Sequence, residues 1–564
     1  MYTGQYILER VKQAGVETVF GVPGDFNFGV LDLIEDDPAL EWAGNANELG
    51  AAYATDGYAR LSGFGMLVTT WGVGELSALN GVAGAFVERT PMVHVVGSPP
   101  QRMQKAHLPI HHSFGDGEFG MYVEMARQAA CAVAQLDGTA HDADKIDHAV
   151  RAAMHYRRPA YIVIPTNVTF STLIDESQLK VPLKHIVKEL HPDEHKLVSE
   201  LSTALENAKS PAILVDVHVR QYGFEQAMRG LIDRLQVRTF STMLSKSIVD
   251  ERKPYYNGMY QGDWTEPATR QRFEQSDLVI RIGYTPTDYN TGSFSDKIPT
   301  EKLVDLNINW CTVRGSKPRR IRNLGYVLDA IKCKPRDVEP IPVPEMPPTP
   351  SADGPVPHTY FWPWTVHRLL RAGDVALAET GTSAYGISTQ RLPSGVRLMT
   401  QSLYASIGWS VGALAGAAHA VKGEQRAAGK SEPDRTVLFV GDGSLQLAVQ
   451  ELATLVRMQA RNVVIFVINN QGYTIERLLH DPVRHYNDLV PWKHTELLSV
   501  LGAVKQNSFQ VHTAKDLDKI PYCTDGITLV EVFMNRVDAP ESLAHAGHSA
   551  HVSNSYEYAP EYNT

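Results

Sequence analysis

The 564-residue sequence has few cysteines, no long apolar run and no surplus of positive charge. Its four cysteines stand far apart and form no CxxC pair, which argues against a disulfide framework or a zinc site. No stretch reaches the roughly 18 apolar residues that a membrane-spanning helix needs, so we expect no membrane partner. The formal net charge of −10 argues against a nucleic-acid partner, because phosphate binding requires concentrated Lys and Arg.

The amino-terminal twenty residues lack the uncharged apolar core of a signal peptide. They contain four charged side chains: Glu9, Arg10, Lys12 and Glu17. Isolated, unpaired cysteines are also typical of a reducing compartment. We therefore predict a cytoplasmic protein.

The tail from Glu541 onward is polar and contains three histidines, His545, His548 and His551. Their spacing could present imidazoles to a metal, but no carboxylate or cysteine is arranged with them. The sequence favours a solvated or frayed end.

Short apolar runs alternate with helical patterns through three stretches of the chain. We predict buried strands at 66–70, 92–96, 161–164, 211–215, 278–282, 303–306, 375–377, 436–440 and 463–468. A helix is expected over 445–458. Strands separated by helices imply parallel, doubly wound sheets.

The clearest boundary lies between Lys334 and His358, where proline recurs with almost no apolar periodicity. Such a segment stays extended and serves as a linker. We predict an α/β protein of three doubly wound parallel-sheet domains: residues 1–180, residues 181–340, a proline-rich linker at 341–357, and residues 358–564.

Two polar loops follow neighbouring strands of the third stretch. Gly441-Asp-Gly-Ser444 comes directly after one apolar run, and Asn469-Asn-Gln-Gly472 ends the next. Ligands of open α/β sheets bind at the carboxyl ends of the strands. Asp442, Asn470 and the Gly472 carbonyl can offer the oxygen ligands that Mg²⁺ prefers, and the glycines let backbone N–H groups approach a diphosphate. A lone GDG is a common turn, but its pairing with the second loop predicts a metal and diphosphate site.

These two loops resemble the diphosphate motif of thiamine-diphosphate-dependent 2-keto acid decarboxylases. The resemblance is strongest to the pyruvate decarboxylase group, which has phenylpyruvate and indolepyruvate decarboxylases among its relatives. It extends over nearly the whole chain through residues 21–27, 47–60, 72–80, 111–112, 288–294, 379–383 and 441–476. It implies a domain that binds the pyrimidine, a middle domain, and a domain that binds the diphosphate and Mg²⁺.

The resemblance implies non-oxidative decarboxylation of a 2-keto acid, most simply pyruvate, to an aldehyde and CO₂. The reaction would pass through a thiamine-diphosphate ylid and an enamine, and Glu48 would activate the cofactor. A helix-initial Glu stabilised by the helix dipole is the structural alternative for Glu48.

The implied acid–base residues are Asp25, His111, His112 and Glu476. Asp25 could instead cap a turn or the next helix. His111 and His112 are adjacent, so in extended backbone their side chains would face opposite ways and one could be purely structural. A carboxylate–imidazole set is the usual equipment for general acid–base catalysis near neutral pH.

The remaining implied cofactor contacts lie mainly in the third domain. They are Thr382, Ile407, Gly441, Asp442, Gly443, Ser444, Asn470, Gly472, Tyr473, Thr474 and Ile475, with Asp442, Asn470 and Gly472 as the metal ligands. Ile407 resembles the bulky residue that holds the cofactor bent, although simple apolar packing is an alternative. Ala405 stands where relatives usually have glycine, and Trp71 and Asp116 replace an expected phenylalanine and asparagine.

Several alternatives stay open on the sequence. Gly72-Val-Gly-Glu-Leu-Ser77 partly imitates a dinucleotide fingerprint but lacks its third glycine. A carboligase of the acetolactate synthase type shares the fold, but such enzymes usually lack the histidine pair and the glutamate at 476. A non-catalytic paralogue would be expected to lose Glu48 or a metal ligand. Ile475 favours a short substrate, whereas Trp71 and Tyr385 leave aromatic or branched keto acids open.

The resemblance also implies a homodimer or homotetramer. Relatives place the cofactor between the amino-terminal domain of one subunit and the carboxyl-terminal domain of another. Glu48 and Asp442 would then act across a subunit interface.

Overall fold

The computed structural model describes residues 1–170, 174–183, 189–350, 353–431, 434–522 and 525–554. These residues form three α/β units, each built on one sheet. The strands of the first sheet are β1 (Thr18–Gly21), β2 (Glu41–Trp42), β3 (Gly65–Thr70), β4 (Met92–Ser98), β5 (Val133–Gln135) and β6 (Ala160–Pro165). Their order is β2-β1-β3-β4-β6-β5, and all neighbours are parallel. The helices of this unit are α1 (Thr3–Gln13), α2 (Phe28–Glu35), α3 (Glu48–Ser62), α4 (Val73–Val87), α5 (Gln101–Lys105), α6 (Met121–Arg127) and α7 (Asp142–Tyr156).

The second sheet is mixed rather than purely parallel. Its strands are β7 (Pro211–Val215), β8 (Arg238–Ser241), β9 (Tyr256–Met259), β10 (Leu278–Ile282), β11 (Leu303–Leu306), β12 (Trp310–Val313) and β13 (Arg319–Arg320). In the order β13-β12-β11-β10-β7-β8-β9, the strands β12 and β13 pair antiparallel. Only three residues join β11 to β12, too few for the crossover that a parallel pair requires. Its helices are α8 (Pro192–Asn207), α9 (His218–Gln221), α10 (Glu225–Leu235), α11 (Pro267–Glu274), α12 (Asp288–Thr291) and α13 (Leu324–Ala330).

The third sheet is again fully parallel. Its strands are β14 (Val375–Ala378), β15 (Arg397–Met399), β16 (Thr436–Gly441), β17 (Val463–Asn469), β18 (Gln506–Val511) and β19 (Ile527–Phe533). The order is β15-β14-β16-β17-β19-β18. Its helices are α14 (His358–Trp364), α15 (Thr382–Ser388), α16 (Trp409–Ala428), α17 (Asp442–Ala448), α18 (Leu452–Arg457), α19 (Thr474–Leu479), α20 (Leu497–Val500), α21 (Ala514–Leu517) and α22 (Glu541–Asn554).

All nine strands predicted from apolar runs are present, which confirms the α/β class. The single helix predicted over 445–458 is wrong. A one-turn 3₁₀ segment, Val449–Glu451, separates α17 from α18. At this break Glu451 accepts a hydrogen bond from Asn45 Nδ2 (2.8 Å), a tertiary contact that local periodicity cannot reveal.

Between Lys332 and Pro357, the described residues form no helix or strand. This proline-rich segment is nevertheless tied to the third unit. Arg391 Nη1 donates to the Ile341 carbonyl (2.9 Å), and His367 Nε2 lies 3.0 Å from the Pro344 carbonyl oxygen. The division of the chain at residues 180, 340 and 357 stays a prediction.

Helices α3 and α16 join the first unit to the third through unusually close packing. A Cβ on Gly57 would lie 2.2 Å from the Ala413 carbonyl oxygen, and a Cβ on Gly416 would lie 1.8 Å from that of Ala54. Glycine is therefore required at both positions. Asn47 starts α3 by accepting the Gly50 N–H (2.6 Å), and this cap fixes Glu48 at the first helical position.

The carboxyl-terminal helix α22 contradicts the prediction of a solvated or frayed end for residues 541–554. Leu543 is fully buried, Trp264 Nε1 donates to Ser549 Oγ (3.0 Å), and His551 Nδ1 lies 2.8 Å from the Leu479 carbonyl oxygen. These contacts come from distant parts of the chain, so the polar composition of the tail concealed them. Residues 555–564 lie outside the described residues. Among the described helices, none combines the length and apolar character needed to span a bilayer.

Candidate functional site

Asp442 and Gly472 meet where β16 and β17 end side by side in the third sheet. Asp442 is only 4% exposed. Its Oδ1 accepts the Gly443 N–H (2.9 Å), and its Oδ2 accepts the Gly472 N–H (3.1 Å). The two loops predicted from the sequence therefore do lie together.

Asn470 completes a group of three facing oxygens, which we call the oxygen cluster (Asp442, Asn470 and Gly472). One terminal atom of its amide lies 2.8 Å from the Gly472 carbonyl oxygen and 3.2 Å from Asp442 Oδ1. If that atom is nitrogen, it donates to both. If it is oxygen, three oxygens converge on one point. The two orientations differ only by exchange of the amide atoms.

The charge balance of the oxygen cluster favours a cation. Burial raises the pKa of Asp442 to about 6, although hydrogen bonds from backbone N–H groups oppose this rise. A carboxylate, an amide oxygen and a carbonyl are hard ligands that suit Mg²⁺, which completes its shell with phosphate oxygens and water. The residues present fit Mg²⁺ bound to a diphosphate.

The backbone of the second loop depends on glycine. Gln471 and Gly472 both have positive φ, +59° and +134°. A Cβ on Gly472 would lie 2.0 Å from the Asn487 carbonyl oxygen, so any other residue would displace the loop. A Cβ on Gly443 would likewise lie 2.5 Å from the Tyr473 ring.

The other predicted cofactor residues of this unit gather at the same edge of the sheet. Gly441, Gly443 and Ser444 flank Asp442 where α17 begins, Tyr473, Thr474 and Ile475 lie where α19 begins, and Thr382 begins α15 after the neighbouring β14. Thr474 is buried and its hydroxyl donates to the Arg536 carbonyl (2.9 Å). Backbone N–H groups at such helix starts are suited to phosphate.

Ile407 lies half-buried in a loop that is held in place by side chains of the first and third units. Glu379 Oε2 accepts Gly408 N–H (3.1 Å) and Ser410 Oγ–H (2.6 Å). Glu88, from the first unit, accepts the N–H groups of residues 403 and 404. Glu379 falls in the 379–383 stretch of the family resemblance, whereas no sequence signal points to Glu88.

Glu48 stands at the start of α3 with its carboxyl partly buried. Burial raises its pKa, while its own backbone N–H lowers it. Among the described residues, no other side chain donates a hydrogen bond to it. A Cβ on Gly74 would lie 3.1 Å from Glu48 Oε1, so the glycine at 74 leaves room beside the carboxylate.

Asp25, His111 and His112 form a second group, the acid–base cluster. Nε2 of His111 lies 2.8 Å from Asp25 Oδ2, and one potential ligand atom from each residue lies within 4.8 Å of the others. The expectation that the two imidazoles face opposite ways is wrong. His112 has φ +64°, which turns its ring to within 4.7 Å of that of His111.

Asp25 is not a helix cap in the structure. Asn27 is the residue that precedes α2, and its side chain accepts the Gly24 N–H (2.9 Å). The Asp25 carboxylate instead faces His111, whose ring stacks on Phe26 at 5.0 Å. The alternative that Asp25 merely caps a turn or the next helix is therefore wrong.

Trp71 packs beneath the acid–base cluster through Tyr122, which it contacts directly. It is buried, stacks on Phe119 at 5.2 Å and meets Tyr122 edge-on at 4.8 Å. Tyr122 in turn donates its hydroxyl to the His112 carbonyl (2.7 Å). Asp116 is exposed and accepts the Glu118 N–H (3.0 Å).

Glu476 belongs to α19 in the third unit, whereas the acid–base cluster belongs to the first. It is exposed on α19, and its charge contributes, after burial and Asp288, to the raised pKa of Tyr289. Within the described parts of the chain, no hydrogen bond or ion pair joins Glu476 or the oxygen cluster to the acid–base cluster. Among the described residues of one chain, the predicted catalytic residues therefore do not form a single hydrogen-bonded site.

Comparison with known proteins covers all three units. Residues 1–118 match the family "Thiamine pyrophosphate enzyme, N-terminal TPP binding domain", residues 198–332 its "central domain", and residues 380–532 its "C-terminal TPP binding domain". The chain is 38% identical to pyruvate decarboxylase of Kluyveromyces marxianus and 37% identical to that of Kluyveromyces lactis, over 96% of both partners in each comparison. Pyruvate decarboxylase isozyme 2 of Saccharomyces cerevisiae is 36% identical, again over 96% of each chain.

Proposed function

Because the chain belongs to the thiamine-diphosphate-dependent 2-keto acid decarboxylases related to pyruvate decarboxylase, we propose that its substrate is pyruvate and its products are acetaldehyde and CO₂. The enzyme is a carboxy-lyase whose cofactors are thiamine diphosphate and Mg²⁺. The observation that carries the proposal is the oxygen cluster, since its carboxylate, amide and carbonyl oxygens suit a magnesium ion bound to a diphosphate.

The oxygen cluster would hold Mg²⁺, and the residues that begin α17 and α19 would hold the diphosphate. When bound, thiamine diphosphate supplies a thiazolium ring that takes up the electron pair left as CO₂ departs. Glu48 would hold a proton at the pyrimidine ring and take it back. Burial raises the pKa of Glu48, which suits this task because it favours the neutral form that carries the proton.

The acid–base cluster would move protons at the reacting carbon and the carbonyl oxygen. Asp25 and His111 share a short contact, so a proton can pass between carboxylate and imidazole. His112 stands beside them, and Glu476 would approach from the other group. Ile407 would pack against the cofactor and exclude water.

The packing around Ile475 supports a short substrate. Ile475 belongs to an apolar cluster that includes Tyr385, Tyr289, Met243 and the buried Leu543 of α22. Tyr385 and Trp71 are both buried, and each is already engaged with other aromatic rings. They therefore give no specific support to phenylpyruvate or indolepyruvate as the substrate.

We further propose that the active enzyme is a homodimer or homotetramer in which the two groups meet across an interface. The absence of any hydrogen bond or ion pair between the two groups, among the described residues of one chain, supports this arrangement. Apolar side chains are also exposed beside both. Val73 and Phe114 lie near the acid–base cluster, Leu447 lies on α17, the helix that Asp442 begins, and Val490 lines a cavity with Asp442. A cytoplasmic location remains our proposal, supported by the three described cysteines, which are free.

The function is tested by measuring CO₂ and aldehyde from pyruvate, phenylpyruvate and indolepyruvate, with and without thiamine diphosphate and Mg²⁺. We expect cofactor-dependent turnover with the highest kcat/KM for pyruvate. A preference for phenylpyruvate would overturn the substrate proposal. Activity that persists after complete removal of the cofactor would overturn the function.

A further inference from the structure

A buried carboxylate beside the oxygen cluster has no part in the scheme above. Glu531 lies on β19, is 2% exposed, and accepts three side-chain hydrogen bonds. Its Oε1 accepts from Asn469 Nδ2 (2.7 Å) and lies 2.7 Å from His494 Nδ1, while its Oε2 accepts from Gln510 Nε2 (3.0 Å). Burial alone would raise the pKa of Glu531, but these hydrogen bonds lower it below its ordinary value.

A charge in this position is costly for folding. A buried carboxylate must be compensated by well-placed donors, and replacing such polar groups by apolar ones of similar volume is often neutral or stabilising. Fold stability therefore gives no reason for a buried glutamate in β19, where its chain neighbours Val530 and Val532 are apolar. The contacts made by the hydrogen-bond partners of Glu531 suggest a reason for its presence.

Asn469 links Glu531 to the oxygen cluster. It is the last residue of β17, and its Oδ1 accepts the Gln471 N–H (3.3 Å). That bond lies across the turn in which Gln471 and Gly472 take positive φ. The same turn aims the Gly472 N–H at Asp442 and the Gly472 carbonyl at Asn470.

We propose that Glu531 is a positioning residue for the magnesium site, acting through the Asn469 side chain on the Gln471–Gly472 turn. The inference rests on the proposed function, because it deepens the assignment of the oxygen cluster. Glu531 fixes the Asn469 amide, Asn469 fixes the turn, and the turn sets two of the oxygen-cluster contacts before the cation binds. Groups that orient metal ligands in this way typically change metal affinity by about 10–100-fold when removed.

Gln510 provides a matched control. It also bonds the Glu531 carboxylate, but from β18, on the edge strand of the sheet, and has no hydrogen bond to the turn. Asn469→Ala and Gln510→Ala thus each remove one hydrogen bond to the same carboxylate. Only the first also breaks the link to the turn. Asn469 is half-exposed, so its variant is less demanding on folding than a change at Glu531.

The test is the affinity of the cofactor-stripped full-length protein for Mg²⁺ at saturating thiamine diphosphate, measured by calorimetry. We expect Asn469→Ala to raise the Kd for Mg²⁺ by about 10–100-fold, with Gln510→Ala close to the parent protein. Glu531→Gln keeps an acceptor for Asn469, so it should weaken Mg²⁺ binding less than Asn469→Ala does.

Equal effects of Asn469→Ala and Gln510→Ala, or no effect of Asn469→Ala, would overturn the positioning role while leaving the decarboxylase function intact. A parent protein that binds no Mg²⁺ with thiamine diphosphate would overturn the proposed function itself. The two failures are therefore distinguished by the parent protein alone.

Discussion

Asp442, Asn470 and Gly472 face one another from buried loops, whereas Asp25 and His111 meet at an exposed surface. The oxygen cluster is fixed by backbone N–H groups, by positive-φ residues and by glycines that admit no side chain. The acid–base cluster is held by the contact between His111 and Asp25, by ring stacking and by the Tyr122 hydrogen bond to the His112 carbonyl. The difference matches the two tasks that we propose, because a Mg²⁺ site demands rigid geometry, whereas proton-transfer groups must reach a substrate and need cover only during reaction.

If Glu48 acts in catalysis together with the acid–base cluster, its replacement should lower kcat without weakening cofactor binding. We expect Glu48→Gln to lower kcat by about 10²–10⁴-fold, because an amide has no exchangeable proton of suitable pKa. The measurement is steady-state kcat at saturating cofactor, together with calorimetric Mg²⁺ binding. A variant that keeps its kcat while losing Mg²⁺ would place Glu48 with the oxygen cluster and break the comparison.

Mixing two inactive variants tests whether the groups meet across subunits. Glu48→Gln and Asp442→Ala chains, each inactive alone, should together recover about a quarter of the parent activity. Half of randomly assembled dimers are hybrids, and each hybrid has one site that carries neither change. Activity is measured after dissociation and reassembly, with subunit exchange verified by mass spectrometry. No recovery despite proven exchange would contradict a shared site.

The oxygen cluster could be predicted from the sequence because its position follows from two local patterns. Apolar runs located β16 and β17, and adjacent parallel strands must end together, so Asp442 and Asn470 had to be neighbours. The acid–base cluster depended on resemblance. Nothing local indicated that His112 would take positive φ and bring both imidazoles to Asp25.

The supporting residues could not be predicted because their partners are remote in the chain. Glu531 bonds a residue 62 positions away, and Glu88 bonds the backbone of residues 403 and 404, more than 300 positions away. Neither belongs to a repeating pattern or a short motif. The packing of α22 was missed for the same reason, since its few buried residues are surrounded by polar ones.

Glu75 offers a test of how a buried carboxyl group affects the stability of the loop beside the acid–base cluster. It is buried, its Oε1 accepts the Gly72 N–H (2.8 Å) and its Oε2 accepts the Tyr161 hydroxyl (2.7 Å). A Cβ on Gly72 would lie 2.3 Å from the His112 carbonyl oxygen, so this loop supports the histidine pair. Burial raises the pKa of Glu75 to about 7 from an ordinary value of 4.5.

The sign of the pH effect follows from that shift. Below pH 4.5 both folded and unfolded chains carry the proton, but between 4.5 and about 7 only the folded chain keeps it. The free energy of unfolding therefore falls as pH rises, by at most about 3 kcal/mol for this group. Glu75→Gln retains an acceptor for Gly72 and can donate to Tyr161, so it should be more stable than the parent at pH 8 and equal to it at pH 4.5. Denaturant unfolding at both values checks this, and a difference independent of pH would contradict it.

The smallest effect is expected at Ala405, in the loop where the first and third units of one chain touch. Ala405 has φ +53°, a conformation that costs an L-residue about 1–2 kcal/mol and glycine almost nothing. Glycine also loses more backbone freedom on folding, by about 0.5–1 kcal/mol, so Ala405→Gly should stabilise by roughly 0.5–1 kcal/mol in total. The same change at Ala417, buried inside α16, should instead destabilise by roughly 2 kcal/mol, because a helical glycine costs about 1 kcal/mol and the loss of a buried methyl adds about 0.8 kcal/mol. Denaturant unfolding measures the change in the free energy of unfolding for both variants. A gain for Ala405→Gly and a loss for Ala417→Gly would show that the loop beside Ile407 stores strain. A loss for both variants would mean that the Ala405 methyl group packs favourably enough to outweigh that strain.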